Sequence, residues 1–372
     1  MHSHIISVTG YETPKLILGI ANPSTEIRHY SMELLAFLES AMRGENLTAA
    51  QARQSMLCIL EGSATTAQIA AFLVALRMKG ETAEELVGFA RAIREKAQPV
   101  DAGAPGEPLL DTCGTGGDEA GTFNVSTAVA FVAAGAGVRV AKHGNRSISS
   151  RCGSADVMEA LGVRIALTPE QMGRCIQEVG IGFLFAPAIH TAAKHAQPAR
   201  LELKMRTVFN FLGPLTNPAG ASAQLVGAPS PHAASLMAQA LAELGLDRGF
   251  VVHGSDGLDE ITTTGPTLVF EIDHGRVLQR HLTPEDFDVP RASLDDLRGA
   301  GPDANCRIVR AVLEGARGPR RDIVLVNAAA ALVAAGVASD FTEGMNLAAA
   351  SIDSSAALAK ARDLARFTQQ FA

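Results

Sequence analysis

The hydrophobic period changes once along this chain, near residue 100, and that change sets the architecture. Up to residue 98 the pattern is helical. Ile69, Phe72, Leu73 and Leu76 fall at i, i+3, i+4 and i+7, and Leu86, Phe89, Ala90 and Ile93 repeat the spacing. Capping boxes open three helices, at Thr48 with Gln51, Thr65 with Gln68 and Thr82 with Glu85. Gly44, Gly62 and Gly80 stand where C-terminal caps belong. The spacing therefore predicts a small helical domain over residues 31–98. Residues 1–30 have no clear period and read as an extension, expected to be poorly ordered.

The stretch AQPVDAGAPGEP, residues 97–108, is rich in proline and glycine and reads as a linker and a candidate hinge between domains. Beyond it, short apolar runs alternate with helical segments: LLDTC, VRVAK, GFLFA, QLVGA, GFVVHG and TLVFEI. Such alternation implies a mostly parallel central sheet covered on both faces. VNAAAALVAAGVA reads as a buried small-residue helix. The expected class is α/β: an N-terminal helical domain followed by a larger α/β domain over residues 108–372.

Composition narrows the function. A formal net charge of −7 on 372 residues argues against nucleic acid or an anionic membrane as partner. The five cysteines include no CxxC pair, which points to a reducing cytoplasm rather than to disulfides or structural zinc. The N-terminus lacks the layout of a secretory signal, and the longest apolar run is too short to cross a membrane. A basic cluster in so acidic a chain suits a small anion.

Four stretches carry chemistry. In DTCGTGGDEAGTFNVSTAVAF, Asp111 to Phe131, a strand ends near Cys113, a glycine loop follows and a helix begins near Ser126. Glycines let backbone N–H groups approach an anion, and Asn124, Ser126 and Thr127 mark a helix start with donor groups. The pattern is neither GxGxxG nor the lysine-bearing P-loop. In KHGNRSISSRCGSADVMEALG, Lys142, His143, Arg146 and Arg151 lie among serines and glycines, after a strand and before a helix capped at Ser154. The carboxyl ends of strands are where open α/β sheets bind ligands.

The third stretch, HGSDGLDEITTTGPT, places Asp259 beside Glu260, a pair suited to magnesium held jointly with substrate phosphates; a solvated acidic turn is the bland alternative. The fourth, HTAAKHAQPARLELKMRTVFNFLGPLTNPAG, places Arg200 at a helix start, where a guanidinium can clamp a carboxylate. Arg206 is expected to be an ordinary surface arginine.

Taken in order, GTGGD, NVSTA, KHGNR, CGSADVMEALG, the RT.FN.LGPLTNP pattern and DGLDE resemble the anthranilate phosphoribosyltransferases from about residue 32 to the C-terminus. The resemblance implies the nucleoside-phosphorylase-like phosphoribosyltransferase fold, with about residues 192–215 contributing to the helical domain, and a homodimer formed through that domain. It implies transfer of the phosphoribosyl group of 5-phosphoribosyl 1-diphosphate (PRPP) to the amine of anthranilate, the second step of tryptophan biosynthesis from chorismate. PRPP contacts are implied at Gly114, Gly117, Asp118, Thr122, Asn124, Val125, Ser126, Thr127, Lys142, His143, Gly144, Asn145, Arg146, Ser147, Ile148, Ser149, Ser150 and Ser154. Anthranilate contacts are implied at Gly114, Asn145 and Arg200, and Mg2+ at Ser126, Asp259 and Glu260. Lys142 is the implied catalytic charge and His143 a proton relay. Cys152 stands where the family has serine, and LELKMRT replaces an LGIRT-like segment. Two alternatives share the fold: a pyrimidine nucleoside phosphorylase and a non-enzymatic nucleic-acid-binding relative.

Overall fold

A computed structural model describes the backbone of residues 24–103, 106–116, 121–147 and 152–371, with side chains from residue 33 onward. Four helices come first: α1 (Ser24–Met42), α2 (Ala49–Leu60), α3 (Thr66–Lys79) and α4 (Ala83–Lys96). The first begins at Ser24, earlier than the expected boundary at 31, so the helical lobe takes in part of the stretch read as an extension. Residues 1–23 lie outside the described residues. All three capping boxes form, each threonine accepting from the N3 backbone while the N3 side chain accepts the cap N–H. Glu85 does more than cap. It is fully buried, pairs with Lys79 at 2.9 Å and accepts the Leu47 N–H at 2.9 Å, so it ties three segments together.

The linker is not loose. Val100 is buried and its N–H donates to the Pro218 carbonyl at 3.2 Å, while Gln98 N–H donates to Ile189. The Gln177 amide reaches the Asp101 carbonyl at 2.8 Å and Arg139 reaches that of Ala102 at 2.9 Å. The proline and glycine content marks an irregular path here, and buried polar backbone must still find partners.

The second lobe is built on seven strands: β1 (Leu109–Asp111), β2 (Arg139–Gly144), β3 (Ile181–Phe185), β4 (Ala223–Gly227), β5 (Arg248–Gly254), β6 (Thr267–Asp273) and β7 (Arg276–Leu282). Their order is β3-β2-β1-β4-β5-β6-β7. The first five are parallel, and β6 and β7 add an antiparallel hairpin at one edge. Strand β7 had no sequence signal, because RVLQRHL is an outer strand exposed along most of its length. The helices that follow α4 are α5 (Val125–Gly135), α6 (Ser154–Ala160), α7 (Pro169–Val179), α8 (Ala186–Ile189), α9 (Gln197–Leu203), α10 (Phe209–Leu215), α11 (Pro231–Glu243), α12 (Pro302–Leu313), α13 (Pro319–Ala334), α14 (Phe341–Asp353) and α15 (Ala356–Thr368).

Two apolar cores result. One lies under α5 and α13, whose small residues allow close packing on the sheet. The other joins α2–α4 with α9, α10 and α11, then runs onto the sheet through Val226, Val251, Phe270 and Ile272. The helical lobe therefore sits on the sheet through a continuous apolar contact, with α11 between. Among the described residues no helix is long and apolar enough to cross a membrane. The strand order runs outward in both directions from β1, so a crevice opens at the carboxyl ends of β1, β2 and β4.

Candidate active site

That crevice is a cleft of about 300 Å³, walled by the glycine loop after β1, the start of α5, the end of β2, the start of α6, α9 and α10, and the loop holding Asp259 and Glu260. Its floor is braced by Asp111, which is fully buried: Oδ1 accepts the His143 N–H at 3.1 Å and Oδ2 accepts from the Asn217 amide at 2.8 Å. Burial still pushes the Asp111 carboxyl above its usual range. Asp111, Cys113 and His143 come close enough to suggest a metal cage. Both Asp111 oxygens are already engaged and burial raises the Cys113 thiol, so the trio reads as a brace.

Lys142 is not on the loop. It is the fourth residue of β2, 1% exposed, with Nζ donating to the Thr112 carbonyl at 2.7 Å, to Thr112 Oγ1 at 3.3 Å and to Ser126 Oγ at 3.3 Å. Burial lowers its pKa. The ammonium thus lies directly beneath the first turn of α5. Asn124 precedes that helix without capping it, since its Oδ1 accepts from the Asn305 amide at 2.8 Å. The helix start therefore presents its positive end and Ser126 to the cleft over a buried cation.

His143 has one defined tautomer. Its Nδ1 is 3.0 Å from the Gly213 carbonyl, which can only accept, so Nδ1 carries the proton. Its Nε2 is then a bare acceptor, 3.2 Å from Nε2 of His190, which must be the donor. Burial lowers the pKa of both rings, that of His190 to about 3.

The acidic wall is set by α13. Asn327, fully buried, accepts the Ile261 N–H and donates to the Ile261 carbonyl, both at 2.9 Å, and so fixes the turn just after Glu260. Gly227 at the end of β4 has no room for a Cβ, which would run into the Asp259 carbonyl. Asp259 Oδ2 accepts the Gly116 N–H at 3.0 Å, and burial raises the pKa of its carboxyl. Across the cleft, the Arg200 guanidinium lies 5.0 Å over the Phe209 ring and pairs with no acid among the described residues. Burial lowers its pKa.

Comparison with known proteins decides the family. The model described as "Glycosyl transferase family, helical bundle domain" matches residues 35–97, and that described as "Glycosyl transferase family, a/b domain" matches residues 106–358. An anthranilate phosphoribosyltransferase of Solibacter usitatus is 64% identical over 336 residues, covering 90% of this chain and 99% of that one. That of Moorella thermoacetica is 52% identical over 91% of this chain and 99% of its own. The crystal structure of the Thermus thermophilus enzyme superposes with a TM-score of 0.84 at 44% identity, covering 90% of this chain and 99% of that chain. The Saccharomyces cerevisiae enzyme in complex with PRPP and Mg gives the same TM-score at 29% identity, over 92% and 99%. The chain belongs to the anthranilate phosphoribosyltransferase family.

Most residues implied by resemblance to anthranilate phosphoribosyltransferases do converge. Gly114, Thr122, Asn124, Val125, Ser126, Lys142, His143, Gly144, Asn145, Arg146, Ser147, Ser154, Arg200, Asp259 and Glu260 all line the one cleft. Thr127 does not. It is fully buried on the inner side of α5, with its hydroxyl unpartnered, because the next residue of a helix turns about 100° away from Ser126. Ser154 is the first residue of α6 rather than its cap, which is Gly153. Arg146 is turned toward α6, pairing with Asp156 at 2.7 Å and Glu159 at 2.6 Å. Gly117, Asp118, Ile148, Ser149, Ser150 and Arg151 lie outside the described residues.

Arg206 was misjudged. It lines the cleft and its Nη1 donates to the Gly116 carbonyl at 2.9 Å. Phe209, Asn210, Gly213 and Pro214 were also missed as lining residues, although they belong to the quoted FNFLGPLTNP motif. The signal was there: an extended turn-rich stretch bearing two arginines must meet something, and the glycine loop offers it backbone carbonyls.

Proposed function

We propose that this chain transfers the phosphoribosyl group of PRPP to the amine of anthranilate, releasing diphosphate. The observation that carries the reading is one cleft holding both an anion-binding floor and a separate guanidinium, that of Arg200, with no acid of its own. A doubly phosphorylated sugar suits the floor of α5, Ser126 and Lys142; a benzoate suits Arg200. Gly114 and Asn145 line the same cleft and are assigned to both substrates.

Magnesium fits the donor set. Asp259, Glu260 and Ser126 offer only oxygen, which is what this hard cation prefers, and they line the same cleft. When bound there, Mg2+ neutralises charge on the diphosphate. The chain's own residues do the rest. Lys142 lies beneath the leaving group with a charge already desolvated, so its field is strong where negative charge grows. The aryl amine is neutral at pH 7 and attacks without a strong base, so positioning carries much of the rate. The cation formed by attack is a strong acid, so a weak base suffices to take its proton. His143 Nε2 is assigned that role: the ring is held by Gly213, and the bond that Nε2 accepts from His190 in the free protein must break for it to take the proton.

The chain is proposed to act as a homodimer through the helical lobe, where Met42, Met78, Leu201 and Met205 are exposed. Five free cysteines suit a cytoplasmic setting. The reading is tested by mixing the protein with anthranilate, PRPP and Mg2+ and following anthranilate fluorescence. Loss that needs all three supports it; no loss with active controls present would falsify it.

A further inference from the structure

We infer that Arg206 is a positioning residue that holds the glycine loop through Gly116. The inference rests on the proposed reaction and deepens it. Gly116 is held from both sides: its N–H donates to Asp259 Oδ2 at 3.0 Å and its carbonyl accepts from Arg206 Nη1 at 2.9 Å. Its φ of +63° is a conformation glycine adopts freely, so the loop has little intrinsic preference for this path. Side chains from two distant places impose it instead. Asp259 belongs to the α/β lobe, behind Asn327 of α13. Arg206 belongs to the segment between α9 and α10, elements that pack in the core of the helical lobe.

Two consequences follow from this geometry. Arg206 and Asp259 bear opposite charges and hold the two peptide groups that flank the Gly116 Cα, so the backbone is fixed on both sides of that residue. Arg206 also sits on the same short segment as Arg200. The group assigned to the carboxylate of anthranilate and the loop assigned to PRPP are thereby fixed relative to each other through a charge-assisted hydrogen bond. Such bonds are among the stronger ones available to a backbone carbonyl.

The test compares Arg206→Ala and Arg206→Lys with the parent protein by steady-state kinetics and by hydrogen exchange of the peptide spanning residues 112–123, without ligands. Arg206→Ala is expected to lower kcat/KM for PRPP by about 10- to 100-fold, as loss of one hydrogen bond to a charged group implies. Exchange over 112–123 should speed up, and Arg206→Lys should recover most of both effects. Parent-like exchange and a kcat/KM for PRPP within about twofold of the parent in Arg206→Ala would overturn the inference. So would equal losses in both variants accompanied by a lowered melting temperature, the mark of a merely structural arginine. If the parent protein does not consume anthranilate, the proposed reaction falls, and the exchange measurement still decides the role of Arg206.

Discussion

At the scale of single residues, burial rather than position in the motif decides what each group can do. Burial lowers the pKa of Arg200, and its guanidinium lies over the Phe209 ring with no acid paired to it among the described residues. A desolvated guanidinium of this kind favours a carboxylate strongly. Replacing Arg200 by Ala is therefore expected to raise KM for anthranilate by about 10- to 100-fold while moving KM for PRPP far less; equal changes in both would exclude the clamp. The His143 ring makes a second case. Burial lowers its pKa, so it is neutral and able to accept a proton above that value and loses the capacity as pH falls through it. The acid limb of the kcat–pH profile should accordingly lie below the ordinary histidine value of about 6.5. His143→Asn, which keeps a donor toward Gly213, should abolish that limb. An Asn variant with the parent's profile would end the proton-acceptor assignment.

At the scale of elements, what the sequence shows best is whatever repeats locally. Helices α2, α3 and α4 were legible from period and capping boxes, and β1 to β6 from apolar runs bounded by glycine. Strand β7 was hidden because an exposed edge strand need not be apolar. The site was legible where a motif is contiguous, as in KHGN and DGLDE, and illegible where it depends on a turn of the helix. Thr127 follows Ser126 in sequence but faces the core, and Arg206 reaches a loop that precedes it by ninety residues. The same limit hides close packing. Gly88 on α4 looks like a weak point in a helix, yet an added Cβ would collide with the Ala49 carbonyl and come within 2.7 Å of Ala52 Cβ on α2. Gly88→Ala gains helix propensity of at most about 1 kcal/mol but must push the helices apart, at about 1–3 kcal/mol. The variant is expected to be less stable in urea by about 1–2 kcal/mol. A more stable Gly88→Ala protein would mean that α2 and α4 yield freely.

At the scale of the whole molecule, the question is whether the two lobes move against each other when substrates bind. The proline- and glycine-rich stretch after α4 invites a hinge, and the sequence alone recommends one. Its backbone, however, donates to Ile189 and Pro218 and accepts from Gln177 and Arg139, so opening there would break four hydrogen bonds and uncover the buried Val100. Helix α4 also lies on α11, within an apolar core that passes without a break onto β4, β5 and β6. Shearing such a contact exposes apolar surface at about 25 cal/mol per Å², a cost that one small substrate cannot easily offset. Arg94 adds a polar tie at the same seam, donating to the carbonyl of Leu244 at the end of α11 at 3.4 Å. The lobes should therefore behave as one body, and the adjustment to substrate should fall to loops at the strand ends. Small-angle scattering recorded with and without PRPP and Mg2+ is expected to give superimposable profiles. A reproducible fall in the radius of gyration on adding both would show that the seam slides, and would return the hinge to residues 97–108.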